Sequence, residues 1–376
     1  MRIAINTRFL IKDKLEGLGW HNYELCKALV AAYPQDEFLF LFDRPFDAEF
    51  IFGENVKGII VPPPARSTWL WKAWFEWSLP WVFRIWKPDV FLSLDGYCSL
   101  RSKVPTALVV HDIAHVHYPE QIPKAVQRYY DRMVPRFLNR ADCILAISNF
   151  VSKDIQEHYP IDPAKIRLAP NALRGTFHRL EEEEQQATRL KYAEGNPYFF
   201  YIGAIHPRKN LTSLIQAFDQ FKAESGAKVK LLIGGRFAWK TGDIWQAYEQ
   251  AQHQKDILFL GYLEEKDLRQ VLGAALALTY VSLFEGFGLP LLEAMHAEVP
   301  ILTSNVSSMP EVVGDAAVLV DPHSVEEIAG GLSTLYHDAE LRKDLIEKGR
   351  DQRTKFSWDR TARIVYENLE RIAQKP

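Results

Sequence analysis

Short, almost unbroken apolar runs recur along this chain, and between them apolar positions return at helical spacing. Buried parallel strands read as near-continuous apolar runs, while the helices that connect them read with a period near 3.6 residues. In the first part, residues 2–6, 37–42, 90–93, 106–110 and 143–147 read as strands, and 20–32 and 151–159 as helices. In the last part, 198–202, 228–233, 257–260, 277–280, 300–303 and 317–320 read as strands, with helices at 211–222, 268–275 and 291–297. Strictly alternating elements predict an α/β protein with parallel, doubly wound sheets.

Between about 175 and 196 the pattern breaks. The acidic run 181–184, Gln185-Gln186 and then Gly195-Asn196-Pro197 predict a solvated connection with a short surface helix. The expected organisation is therefore one Rossmann-like domain over 1–172 and a second over 173–356. Ser357, a good N-cap residue, opens a last helix in the segment 357–376.

Composition narrows the function classes. The chain has 376 residues, 47% hydrophobic and 25% charged, which suits two globular cores. A net charge of −3 argues against a nucleic-acid partner. Cys26, Cys98 and Cys143 are too few and too far apart for a disulfide framework or a zinc set. The chain shows neither a signal-peptide pattern nor an apolar run of membrane-spanning length. A cytoplasmic protein, at most peripheral on the inner face of a membrane, is expected.

Chemistry concentrates after two strands of the second domain, where ligands of open α/β sheets bind. After 277–280 comes Phe284-Glu285-Gly286-Phe287-Gly288-Leu289-Pro290-Leu291-Leu292-Glu293. Gly286 and Gly288 let the backbone approach a ligand, and Pro290 fits a first helical turn. The helix start offers amide donors and positive partial charge to an anion such as a diphosphate. Glu285 and Glu293 suit hydroxyls, one a sugar's and one a ribose's. After 198–202 comes Gly203-Ala204-Ile205-His206-Pro207-Arg208-Lys209-Asn210, in which two cations open the next helix. Arg208 can fork onto phosphate oxygens, while Lys209 acts as a point charge. Together they would stabilise a departing nucleoside diphosphate.

Both motifs resemble those of the family 4 glycosyltransferases, a retaining group with the GT-B fold. The two glutamates with seven residues between them, Pro300, Thr303-Ser304-Asn305, the stretch 307–314 and Asp321-Pro322 carry the resemblance, which extends over nearly the whole chain. It implies two Rossmann-like domains facing across a cleft, with the last helix crossing back onto the first. It implies that Glu285 contacts the transferred sugar and Glu293 the ribose. The amides of Phe287, Gly288 and Leu289, with Arg208 and Lys209, would hold the diphosphate, and Gly261-Tyr262-Leu263 would lie against the base. In the first domain, Leu15-Glu16-Gly17-Leu18-Gly19 resembles the family's glycine loop near phosphates and acceptor. His111, followed by Asp112, is assigned to the reaction centre. The resemblance implies front-face attack with retention and no metal, so His115 and His117 beside Asp112 are read as structural. It is closest to bacterial mannosyltransferase-type enzymes of polysaccharide assembly, which makes GDP-mannose the first expected donor and a UDP-hexose the next. A glycan or lipid-linked acceptor is expected, and no cofactor. Another GT-B enzyme such as an epimerase, or a non-catalytic nucleotide-sugar-binding subunit, remains the alternative.

Trp69, Trp71, Trp74, Trp77, Trp81 and Trp86 crowd one stretch. The spacing of Trp74, Trp77 and Trp81 puts them on one helical stripe, either packed into the domain or lining the acceptor groove, or else lying at a membrane interface. Lys72, Arg84 and Lys87, and the series Lys124, Arg128, Arg132, Arg136 and Arg140, would attract an anionic surface.

Overall fold

A computed structural model describes residues 1–15, 17–175, 177–236 and 242–374. The chain divides into two compact units, Met1–Ala172 with Ser357–Pro376, and Leu173–Phe356.

The first unit is built on seven strands: β1 (Arg2–Asn6), β2 (Glu37–Phe42), β3 (Val56–Ile60), β4 (Val90–Ser93), β5 (Thr106–Val110), β6 (Cys143–Ala146) and β7 (Ile166–Leu168). Their order is β3-β2-β1-β4-β5-β6-β7, and every pair is parallel. The central strands are apolar throughout because both faces are covered; Ile3, Ile5, Leu92, Leu108 and Leu145 are fully buried.

The second unit carries β8 (Tyr198–Ile202), β9 (Lys230–Gly234), β10 (Ile257–Gly261), β11 (Ala277–Tyr280), β12 (Ile301–Ser304) and β13 (Val318–Val320). They lie in the order β10-β9-β8-β11-β12-β13, again all parallel. In each sheet the winding direction reverses once, between β1 and β4 and between β8 and β11. The carboxyl ends of those pairs form the crevice where doubly wound sheets bind ligands.

The apolar pattern missed β3 and β7. Both are edge strands with one partner each. In β3 a lysine and a glycine interrupt the apolar run, and β7 is only three residues long with an arginine in the middle. Edge strands need less burial, so they write a weaker pattern.

The tryptophan stretch is helical from Thr68 to Trp86 but not uniformly so. The segment Trp74–Ser78 is a π-helical turn between Thr68–Ala73 and Leu79–Trp86. The wider turn breaks the expected stripe. Trp74 is fully buried and donates its indole N–H to the Val61 carbonyl at 2.9 Å, whereas Trp77 and Trp81 are exposed.

The segment 181–193 forms a capped helix, Glu182–Ala193, with Glu181 and Glu184 as its capping box. The last helix, Trp358–Ala373, belongs to the first unit. Ser357 Oγ caps it by accepting from Arg360 N at 3.2 Å. Its buried face presents Val365, Leu369 and Ile372, and Tyr366 stacks on Tyr33 with ring centroids 3.4 Å apart.

Candidate functional site

In the second unit the loops after β8 and β11 meet at the sheet's reversal point. The loop after β8 forms a 3-10 turn, Pro207–Lys209, initiated by His206, whose ring accepts from Arg208 N at 3.3 Å. Arg208 and Lys209 therefore precede the helix Leu211–Ser225 rather than open it. Asn210 sits between them and that helix with φ of 59°, and its side-chain amide donates to the carbonyls of Val281 at 3.0 Å and Pro322 at 2.6 Å. That amide fastens the cationic turn to the loop after β11.

The consequence is an ion pair. Lys209 Nζ bonds Glu285 Oε1 and also donates to the Tyr280 hydroxyl at 3.1 Å, which itself donates to Glu285 Oε1 at 2.7 Å. Burial alone would raise the Glu285 pKa. The Lys209 and Arg208 charges and the two hydrogen bonds outweigh it and hold the carboxyl below its usual range. Glu285 is thus a buried, fully ionised carboxylate. Burial pushes the phenols of Tyr201 and Tyr280 well above their usual range, so both stay neutral donors.

Serines hold the glycine loop. Ser308 Oγ donates to the carbonyls of Glu285 at 2.9 Å and Phe287 at 3.0 Å, and Ser307 Oγ accepts from Glu285 N at 3.2 Å. Gly286 lies in this turn. The Phe287 ring is buried against Phe356. Gly288, at φ of 95°, is the N-cap of the helix Leu289–Ala297, with Pro290 in its first turn. No side chain caps this helix start. Its leading amides suit an anionic oxygen.

One helical turn further, Glu293 makes no hydrogen bond among the described residues. Burial lifts its pKa to about 7; Arg174 pulls it down and Glu265 pushes it up by smaller amounts. The two glutamates, similar on paper, are electrostatically opposite: one locked in its charged form, the other near its midpoint.

Glycines zip the neighbouring loops. Gly203 N donates to the Gly234 carbonyl at 3.1 Å and Gly235 N to the Gly261 carbonyl at 2.7 Å, tying the ends of β8, β9 and β10 together. Gly235 was not singled out from sequence, although Gly234-Gly235 at a strand end is a readable signal. A Cβ on Gly235 would sit 1.8 Å from the Gly203 oxygen. Tyr262 is exposed with the Arg236 guanidinium 4.2 Å from its ring centroid, and Leu263 packs near Gly234.

The first unit has its own crevice, a cavity of about 740 Å³ over the ends of β1, β4 and β5. His111 and Asp112 line it together with Arg8, Trp71, Tyr97 and Tyr130. His111 Nε2 lies 3.0 Å from the Leu94 carbonyl, so Nε2 carries the proton and Nδ1 is the acceptor. Burial lowers the His111 pKa below the usual imidazole range. Asp112 Oδ1 accepts from Ala114 N at 3.0 Å, two residues on in the chain. His21 meets the His111 ring edge-on at 4.6 Å, and its Nδ1 bonds Asn171 Oδ1 at 2.6 Å. Arg8 bonds Asp95 Oδ2, which also accepts from Asn6 at 2.7 Å. Arg8, His21, Asp95 and Tyr97 were invisible to sequence reading because no motif links residues so far apart.

In the glycine loop Gly17 opens the helix Gly17–Ala32, and Gly19 is buried, with the Phe9 carbonyl 3.0 Å from where a Cβ would stand. Glu16 lies outside the described residues. Asp112, His115 and His117 do not form one cluster: His115 bonds the Tyr159 hydroxyl at 3.0 Å and His117 bonds Asp154 at 2.8 Å. Asp154 and His158 join His117 in a group within reach of a single ion. Arg140, expected to face outward, is bound to the Ser102 and Val104 carbonyls and to Asp142.

Two parallel doubly wound domains, each with a crevice at its reversal point, define the GT-B class. The model of glycosyl transferases group 1 matches residues 182–352, and that of Glycosyltransferase Family 4 matches 15–174. The chain is similar to O-antigen chain mannosyltransferase B of Escherichia coli, 30% identical over 362 residues that cover 93% of this chain and 94% of that protein. Among solved structures it shares its fold with sucrose-phosphate synthase from Thermosynechococcus elongatus (TM-score 0.78, 17% identity, 99% and 98% of the two chains). It shares it also with WaaG, a glycosyltransferase involved in lipopolysaccharide biosynthesis (TM-score 0.76, 15% identity, 98% and 99%). The chain belongs to the family 4 glycosyltransferases. Among its described residues no helix is long and apolar enough to cross a membrane.

Proposed function

We propose that this glycosyltransferase moves a mannosyl group from GDP-mannose to a saccharide acceptor in polysaccharide assembly, with retention of configuration and without a metal ion. The observation that carries the donor site is the Lys209–Glu285–Tyr280 cluster beside an uncapped helix start. A carboxylate kept ionised by Lys209 and Arg208 accepts from sugar hydroxyls. The Leu289–Ala297 helix start and the Arg208 guanidinium receive the diphosphate, so the charge that grows on the leaving group meets donors already in place. Glu293 takes the ribose hydroxyls. The similarity to an O-antigen mannosyltransferase supports mannose and a glycan acceptor.

On the acceptor side, the cavity of the first unit presents Trp71, Tyr97 and Tyr130, flat surfaces suited to sugar rings. His111, neutral and with Nδ1 as an acceptor, is assigned to the hydroxyls of the reacting sugar. Glu285 is engaged by two donors at one oxygen and is read as positioning the sugar, not as a nucleophile. The leaving diphosphate then takes the acceptor's proton on the same face.

A thermal-shift panel of nucleoside diphosphates and nucleotide sugars tests the donor, since a ligand of the folded state raises the midpoint. GDP and GDP-mannose should shift it most, and proton NMR of the product should show the α-anomer. A shift with UDP ligands alone would replace the base assignment, and no shift with any of them would remove the site.

A further inference from the structure

The exposed large apolar side chains are concentrated in one place. Trp69, Trp81 and Ile85 are 66%, 64% and 63% exposed, and Trp77 is 45% exposed. The others among the described residues are Ile60, at the end of β3, and side chains scattered between residues 168 and 319. Loose packing of the helix does not explain this exposure. Its inner face is anchored by Trp74, Phe75, Leu79 and Phe83, all buried, and by the Trp71 and Trp74 indoles bonded to the Ala65 and Val61 carbonyls. Rings held outward on so firm a base are exposed by design of the helix.

Charge identifies what meets them. From residue 66 to 87 the exposed charges are Arg66, Lys72, Arg84 and Lys87, all cationic. The single acid there, Glu76, is buried and accepts from Leu100 N at 2.9 Å. Arg101 lies over the Trp77 ring at 5.3 Å and 3.9 Å from Glu76, so the one acid of the segment is itself paired. Indole rings with cations beside them suit the headgroup layer of a bilayer, where the ring body is buried and the charge meets anionic lipid. A second copy of this chain fits poorly, because a two-fold contact would set the same cations against one another.

We infer that the face formed by Trp69, Trp77, Trp81 and Ile85 docks on an anionic lipid bilayer. The same helix carries Trp71 on the wall of the first unit's cavity, so docking places that cavity within reach of a membrane-borne acceptor. Vesicle binding does not depend on the donor reading, and either can fail alone.

Flotation of the full chain with phosphatidylcholine vesicles, with and without phosphatidylglycerol, at low and high salt, tests the docking. Binding is expected only with the anionic lipid and should weaken with salt. The combined Trp69→Ser, Trp81→Ser, Ile85→Ser variant should bind at least about tenfold more weakly with an unchanged circular dichroism spectrum and melting point. Lys72→Glu with Arg84→Glu should abolish the preference for anionic lipid. Absence of wild-type flotation would overturn the inference, as would equal binding by the triple variant. So would a dimer, seen by sedimentation, that the triple variant splits while vesicle binding stays unchanged.

Discussion

Lys209 and Glu285, 76 residues apart in the chain, form a mostly buried ion pair to which the Tyr280 hydroxyl also donates. Charge, burial and ligand chemistry are coupled in that contact. Lys209 keeps Glu285 ionised, and in the proposed donor site that carboxylate is the acceptor for a sugar hydroxyl.

Removing Lys209 therefore should do more than remove the proposed phosphate contact. From sequence alone, Lys209→Ala or Glu293→Ala is expected to abolish turnover and spare the fold. The structure gives Lys209 a second duty. Lys209→Met should cost about 3–5 kcal/mol, because it strands a buried carboxylate. It should also lower kcat roughly a hundred- to thousandfold. Adding Glu285→Gln should restore most of the stability but not the turnover, which urea denaturation beside a transfer assay will read.

Glu293 should make nucleotide binding depend on pH. In the proposed site its carboxylate form accepts from the ribose hydroxyls, and its pKa lies at about 7. Affinity for a nucleoside diphosphate should thus fall, approaching tenfold per unit, as pH drops below that value. Glu293→Gln should flatten the profile. Its folded pKa lies above the unfolded one, so the native state holds an extra proton between the two. Glu293's contribution to stability is present at low pH and lost as pH rises through about 7. Isothermal titration across this range checks the binding arm.

His111 and His21 carry the opposite sign. Burial lowers both pKa values below the ordinary imidazole range. The unfolded state then binds more protons, and stability falls as pH drops below about 6.5. His21→Gln should melt lower than wild type at neutral pH, because it loses the bond to Asn171, and the gap should narrow as pH drops below about 6.5, where only wild type carries the penalty of the buried imidazole. His111→Gln, which can keep a donor near the Nε2 position for the Leu94 carbonyl but loses the Nδ1 acceptor, should reduce turnover about a hundredfold with little change in midpoint at neutral pH.

The glycine zipper is testable by contrast. Gly235→Ala would drive a Cβ to 1.8 Å from the Gly203 oxygen at φ of 144° and should destabilise by about 2–4 kcal/mol. Gly226→Ala has a left-handed φ of 61° but open space around it, and should cost only about 1 kcal/mol. Equal melting temperatures for the two variants would contradict the close approach.

The sequence by itself determined the parallel sheets, because a strand buried on both faces must be apolar at nearly every position. It also located the loops after β8 and β11, because glycines, cations and acids at strand ends have few structural uses. The tertiary structure decided what those residues do to one another. No spacing reveals that Lys209 meets Glu285, or that one glutamate is held charged and its neighbour sits near neutrality. The tryptophan stripe shows the same limit. A uniform helix would have put Trp74, Trp77 and Trp81 on one face, but a π-helical turn sends Trp74 inward and leaves the other two exposed. Local patterns fix backbone conformation; pKa, partners and facing depend on contacts between residues that the chain brings together only when folded.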